Sequence, residues 1–146
     1  MIKYEKLSPV KISKTDVSMI NRLLSQLTGS SREIDLWRAR DLATTSRWIV
    51  ARDEDGSIRG MGSLTVSHIP TGIVGHLDDI VVDDSLRGRG IGEEIVKRLI
   101  GKIKMRNKVS VDRIELTCRP SRISANKLYQ KLGFYQRETN CYILKF

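Results

Sequence analysis

Ile80-Val81-Val82-Asp83-Asp84-Ser85-Leu86-Arg87-Gly88-Arg89-Gly90-Ile91-Gly92 joins a β-branched apolar run to a segment whose apolar residues recur at helical spacing. The run predicts a strand, the glycines a turn, and the repeat a helix from about Gly90 to Met105 that buries Ile91, Ile95, Val96, Leu99, Ile100 and Ile103. Glycine lets the backbone approach a ligand closely and adopt conformations that a β-carbon forbids. The first N–H groups of the helix have no partners inside it, so a strand-turn-helix of this kind offers a row of donors and a positive dipole end to a phosphate. Three or four donors at about 1.5 kcal/mol each supply roughly 5 kcal/mol, whereas micromolar affinity needs roughly 8. Arg87 and Arg89 add charge. A P-loop would end in Gly-Lys-Ser or Gly-Lys-Thr, and a dinucleotide fingerprint would have glycine where Ile95 stands, so neither motif is present. A purely structural glycine turn is the competing account of the same residues.

Working outward from the turn, Ile73 to Val82 is one strand, preceded by the turn Pro70-Thr71-Gly72 and by a hairpin of Trp48–Arg52 and Ile58–Ile69 around Asp53-Glu54-Asp55-Gly56. Further upstream, Tyr4–Leu7 reads as a short strand ended by Ser8-Pro9. A helix follows from Thr15, capped by Thr15 or Ser13 and stopped by Gly29, with Val17, Ile20, Leu23, Leu24 and Leu27 on its apolar side. A second helix opens at Ser30, where Ser30 and Glu33 have capping-box spacing, and places Ile34, Trp37 and Leu42 on roughly one face. Downstream come a strand at Arg113–Cys118, a helix at Ser121–Leu132 ended by Gly133, and a terminal strand pair, Phe134–Glu138 and Cys141–Phe146. The order is β-α-α-β-β-β-α-β-α-β-β. It predicts a mixed α/β fold, α+β in its segregated helices, with a central sheet flanked by helices.

At 146 residues the chain fits one domain, residues 1–146. Hydrophobic residues at 40% and charged residues at 29% fit a folded globular chain rather than a disordered one. No apolar run reaches the roughly 20 residues of a membrane span, and the start lacks the apolar stretch of a signal peptide, so a cytosolic location is expected. Cys118 and Cys141 have no partners at metal or redox spacing and read as reduced core residues, with no metal expected. The net charge of +9 suits a polyphosphate, a nucleic acid or an acidic substrate, and does not choose among them.

Two segments carry a family resemblance. Arg87-x-x-Gly90-x-Gly92, after Ile80-Val81-Val82 and before an amphipathic helix, resembles the acetyl-coenzyme A diphosphate signature of GNAT N-acetyltransferases. Asn126-Lys127-Leu128-Tyr129-Gln130-Lys131-Leu132-Gly133-Phe134 resembles that family's second signature at the expected distance downstream. The resemblance spans roughly residues 45 to 146, and Gly75-His76-Leu77-Asp78-Asp79-Ile80-Val81-Val82 is similar to the same strand in glucosamine-6-phosphate N-acetyltransferases and their small bacterial relatives. It implies acetyl-coenzyme A as cosubstrate. The diphosphate would lie at Arg87, Gly88, Arg89, Gly90, Ile91 and Gly92, and the pantetheine arm along the main chain of Ile80, Val81 and Val82. Asn126 would cap or contact that arm, while Arg122 stands where many members have asparagine.

Acetyl transfer needs a neutral amine, a polarised thioester carbonyl and support for the departing thiolate. An amine of pKa near 8 costs about 1 kcal/mol to deprotonate at pH 7, and a lysine near 10.4 costs roughly 4.6. Strict alternation along the strand puts His76, Asp78, Ile80 and Val82 on one face and Leu77, Asp79 and Val81 on the other. Asp78 falls where the resemblance has a glutamate near the acceptor, one methylene longer, and His76 near where other members place their base. Asp78 is preferred to His76 as base, directly or through water, and both to Asp79. The alternative is that Asp78 orients the acceptor. Tyr129 is the acid expected beside the coenzyme sulfur, with a core tyrosine as the competing account.

Two other functions fit parts of the chain. A noncatalytic acyl-coenzyme A-binding regulatory domain would keep Gly90 and Gly92 but need neither Asp78 nor Tyr129. A nucleic-acid binder would use Lys97, Arg98, Lys102, Lys104, Arg106 and Lys108, but few aromatics accompany that run, and neither nucleic acid nor membrane is expected as a partner. For the enzyme, small amines, amino sugars and peptide or protein amines remain as acceptors, a small amine or amino sugar being favoured, with Gln26–Arg47 and the Ser67–Gly75 loop lining the pocket. The resemblance also allows a homodimer built through the sheet or its terminal strands.

Overall fold

The computed structural model describes residues 1–104 and 111–146, which divide into two compact units, Met1–Leu116 and Thr117–Phe146. The end of the predicted third helix at Met105, with Arg106 and Lys108 of the basic run, lies outside the described residues.

In the first unit, β1 (Lys3–Lys6), β2 (Arg47–Arg52), β3 (Ile58–Ile69), β4 (Gly72–Val82) and β5 (Arg113–Glu115) form one sheet in chain order. The first four strands are antiparallel neighbours, and β5 runs parallel to β4. Helices α1 (Lys14–Thr28) and α2 (Leu36–Thr45) precede β2, and α3 (Ile91–Lys104) connects β4 to β5. Ile20 and Leu23 of α1, Ala39 and Ala43 of α2, and Trp48, Val50, Met61 and Val81 of the sheet form the core on one face. The opposite face receives α3: Ile91, Ile95 and Leu99 pack over Gly60 and Gly62, whose missing side chains let the helix lie close. Ile95, Val96 and Leu99 are fully buried, each such residue contributing about 1.5–3 kcal/mol by leaving water.

Local chemistry sets the helix ends. Ser13 caps α1 reciprocally with Asp16: Asp16 N–H donates to Ser13 Oγ at 3.1 Å, and Ser13 N–H donates to Asp16 Oδ2 at 2.9 Å. Gly29, at φ 68°, ends the helix in the left-handed conformation. The predicted capping box at Ser30 and Glu33 does not form. Asn21 of α1 holds both main-chain groups of Ile34, at 2.9 and 3.0 Å, which keeps that stretch out of the helix. Helix α2 starts instead after Asp35, whose carboxylate accepts Arg38 N–H at 2.7 Å. The later start leaves Trp37 72% exposed and turns Ala39 and Ala43 inward in place of the predicted Trp37 face.

The second unit contains α4 (Ile123–Lys131), shorter at both ends than the predicted Ser121–Leu132. The predicted strand at Arg113–Cys118 is limited to β5, and residues 134–146 form no ladder. A hairpin alone is marginal in water, and these residues gain no strand partner among those described, so their β-branched and aromatic content is not converted into a strand pair. Cys141 is consequently exposed rather than part of a core, whereas Cys118 is half-buried, and both are free thiols.

Candidate active site

Strand β4 breaks its own alternation. Met61 of β3 opposes Val81 and Ser63 opposes Asp78, so Gly62 alone faces two residues, Asp79 and Ile80. That is a β-bulge, and Asp79 occupies it at φ 51°, a left-handed conformation uncommon outside glycine and asparagine-like residues. The extra residue reverses every side chain beyond it. His76 and Asp78 share a face with Val81, while Ile80 and Val82 turn toward α3, where Ile80 lies against Gly62. The strict alternation expected from the sequence therefore fails at this step. Asp78 is exposed, His76 half-buried, and the Asp78 carbonyl accepts the Ser63 hydroxyl at 3.2 Å.

Asp79 is exposed as a residue, but its carboxyl is crowded: desolvation first, and the charge of Asp78 second, raise its pKa above the usual carboxylate value. This is the perturbed carboxyl of the strand, although alternation along the sequence ranks it behind Asp78 and His76. Gly62 carried the missed signal, since a glycine inside a strand marks a bulge or a close approach.

Beyond the bulge the sheet opens. Pairing of β4 with β5 runs from Val74/Arg113 to His76/Glu115 and stops, whereas β4 continues to Val82. Asp83 N–H donates to Arg59 O at 2.7 Å, so antiparallel alternation turns the main-chain groups of Val82 and Ile80 toward the parted edge and those of Val81 toward β3. The Val82 carbonyl accepts Arg87 Nε at 3.4 Å on that edge. Val81, by contrast, is buried in the core beneath α1, so among the three residues expected to serve a ligand it is the one directed elsewhere.

The strand then enters the turn. Asp83 closes a short 3-10 turn, Asp84–Leu86, by accepting Ser85 N–H at 3.1 Å and the Ser85 hydroxyl at 2.6 Å. Gly88 and Gly90 follow at φ 77° and 78°, and a β-carbon at either would meet nothing within 4 Å. Their glycine identity thus answers to backbone conformation and open space rather than packing. Gly90 O accepts Glu94 N–H at 3.1 Å, the first helical bond, so Ile91, Gly92 and Glu93 present the opening N–H groups of a fourteen-residue helix. Arg87 is ion-paired with Asp84, and Arg89 is exposed. This donor set suits a diphosphate: the opening N–H groups of a helix, two glycines that keep side chains out of the way, and two arginines. Lys97 and Arg98 of the basic run are engaged by Glu93 and Glu94 at 2.8 and 2.6 Å, which makes that part of the run a charge-paired helix face.

In the second unit, α4 ends in a Schellman motif. Phe134 N–H donates to Tyr129 O and Gly133 N–H to Gln130 O, both at 3.0 Å, with Gly133 at φ 92°. The motif brings Phe134 edge-on to Tyr129, ring centroids 5.9 Å apart at 70°. Burial first, with the nearby Cys118 second, pushes the Tyr129 phenol up to about 12, against a smaller opposing pull from Arg122. Asn126 donates its amide to the carbonyls of Arg119 and Arg122, both at 2.9 Å, so it braces the entry to α4. Among the described residues, no group of three His, Cys, Asp or Glu side chains could hold a metal ion, and no helix is long and apolar enough to cross a membrane.

Residues 17–134 match the model of the Acetyltransferase (GNAT) family. Glucosamine 6-phosphate N-acetyltransferase 1 of Oryza sativa is 36% identical over 66 residues, which cover 45% of this chain and 36% of that protein, so the match spans about a third of the relative's length. An acetyltransferase from Trypanosoma brucei shares the fold at TM-score 0.80 and 24% identity, over 99% of this chain and 100% of that one. A predicted acetyltransferase from Clostridium acetobutylicum, solved with acetyl-CoA, does so at TM-score 0.75 and 22% identity, over 99% of this chain and 96% of the other.

Proposed function

The chain belongs to the GNAT acetyltransferase family, and from that premise we propose that residues 1–146 act as one catalytic domain that moves an acetyl group from acetyl-coenzyme A to a primary amine. The observation that carries this reading is the parted edge of β4 leading directly into the Gly88/Gly90 turn and the N-terminus of α3. The Ile91 and Gly92 N–H groups, with the Gly88–Gly90 turn, Arg87 and Arg89, hold the diphosphate. Ile80 and Val82 hydrogen-bond the pantetheine arm through their outward main-chain groups, as an added strand would. When bound, the coenzyme supplies the activated acetyl group.

Asp78 is the proposed base: it takes the proton released from the amine as the C–N bond forms, directly or through one water, with His76 beside it on the same face as the alternative. Tyr129 supports the sulfur as the C–S bond breaks. With its pKa pushed up to about 12, against an ordinary thiol near 8.5, the phenol keeps its proton and acts as a hydrogen-bond donor. No covalent enzyme intermediate is needed, and Cys118→Ala is expected to leave turnover within a few-fold.

A small amine or amino sugar is the favoured acceptor, supported by the partial likeness to the rice glucosamine 6-phosphate enzyme and by the smaller cost of deprotonating an amine near pKa 8. The cytosol is the proposed setting. Titration calorimetry with acetyl-coenzyme A, followed by an amine panel assayed for free thiol, tests the reading. Binding with acceptor-dependent thiol release supports it; binding without turnover on any amine would favour the regulatory acyl-coenzyme A-binding domain.

A further inference from the structure

Asp83 is a carboxylate only 6% exposed, standing where β4 runs into the anion-binding turn. A lone negative charge there would repel a diphosphate, so its neutralisation matters. Arg22 of α1 reaches it, Nη2 to Oδ2 at 2.6 Å, and Arg59 of β3 approaches the same oxygen at 3.7 Å. The other oxygen is spent on Ser85, which shapes the turn. One helical turn past Arg22, Gln26 Oε1 accepts the main-chain N–H of Asp84 at 3.1 Å. Two side chains of α1 thus grip two consecutive residues at the start of the turn, from 61 and 58 residues away in sequence. The Ser85 hydrogen bonds, with the charges of Arg22 and Arg59, also hold the Asp83 carboxyl below the usual range, so it stays ionised wherever the protein is folded at neutral pH.

We propose that Arg22, Gln26 and Asp83 are positioning residues for the coenzyme: α1 sets the attitude of the Asp84–Gly92 turn and cancels the charge at its root, without touching the ligand. This rests on the reading that the turn receives the coenzyme diphosphate. Loss of either partner leaves the turn free to swing and, for Arg22, leaves Asp83 less compensated.

The test compares two donors, acetyl-coenzyme A and S-acetylpantetheine, which lacks the diphosphate. Arg22→Gln and Asp83→Asn are expected to raise the Kd and KM for acetyl-coenzyme A by about ten-fold, the scale of one charge-assisted contact. Gln26→Ala is expected to raise them by about three-fold, as for a single neutral hydrogen bond. The effect should fall on KM rather than kcat, leave the KM for S-acetylpantetheine in place, and be partly rescued by Arg22→Lys. The double variant Arg22→Gln/Asp83→Asn should be no worse than the poorer single variant, because both remove one shared contact. Wild-type affinity for acetyl-coenzyme A in all three single variants, or an equal rise in KM for both donors, overturns the inference. Should Asp83→Asn fold poorly, Arg22 and Gln26 still decide the matter, since the Arg22 side chain is half exposed. Failure of the wild-type protein to bind acetyl-coenzyme A would instead overturn the function on which the inference rests.

Discussion

Ile80 Cδ1 occupies the place that a β-carbon on Gly62 would take, and Gly62 is the single β3 residue facing both Asp79 and Ile80. The glycine and the bulge are therefore one device. The bulge turns Ile80 inward beneath α3, and only a residue without a side chain leaves room for it.

Gly62→Ala tests this directly. Its methyl would also lie 3.0 Å from Ile95 Cγ2 and 3.2 Å from Leu99 Cδ1, both buried and unable to give way freely. Overpacking of this kind costs about 1–3 kcal/mol, measurable by urea denaturation. Displacement of Ile80 should also weaken acetyl-coenzyme A binding. Gly56→Ala, at φ 84° with nothing within 4 Å, serves as the control: it should cost about 1–2 kcal/mol through backbone strain and leave coenzyme affinity unchanged.

Asp79 predicts a pH dependence of stability. Its folded pKa is raised, so the neutral carboxyl is the form the fold prefers. That contribution is complete below the unfolded pKa and is lost as pH rises through the folded value. Asp79→Asn should accordingly be more stable than wild type at pH 7, with the difference shrinking on acidification toward pH ~4, near the ordinary aspartate value. A difference that grows on acidification would show that the carboxylate is stabilised in the fold. Asp79→Gly should relieve the φ 51° conformation, whereas Asp79→Val should be poorly tolerated there.

At the turn, Gly90→Glu or Gly92→Glu should abolish measurable acetyl-coenzyme A binding in calorimetry, by placing a carboxylate where the diphosphate approaches. Gly90→Ala should cost stability, about 1–2 kcal/mol for a side chain held at positive φ, yet keep part of the affinity because space is open around it. Unchanged affinity in the glutamate variants would move the coenzyme away from the turn.

Tyr129→Phe should lower kcat by roughly 100-fold, as expected for loss of a positioned hydroxyl, while shifting acetyl-coenzyme A affinity only a few-fold. With the phenol pushed up to about 12, the wild-type rate should show no alkaline loss traceable to Tyr129 below pH ~10, near the ordinary tyrosine value. Equal losses in kcat and affinity would reduce Tyr129 to a binding residue.

Legibility followed range along the chain. The glycine turn, the α3 stripe, the Gly29 and Gly133 stops and the β2–β3 hairpin each depend on residues within one or two turns of one another, and all were readable. The second helix starts later than its local capping box suggests, because Asn21, thirteen residues upstream, claims the backbone of Ile34. The terminal segments form no strands among the described residues because propensity describes a fit to a pleated surface and does not supply the neighbouring strand.

By itself, then, the amino-acid order determined the strand-turn-helix and the Tyr129 helix end, since capping, glycine conformation and apolar periodicity act over a few residues. Tertiary structure alone decided the bulge at Asp79, the inward turn of Ile80 and the pairing of Arg22 with Asp83. Each of these needs a partner carried on another strand or helix. No local pattern encodes the register of a neighbouring strand, and it is that register which sets Asp79 and Ile80 together opposite Gly62 and reverses the faces beyond them.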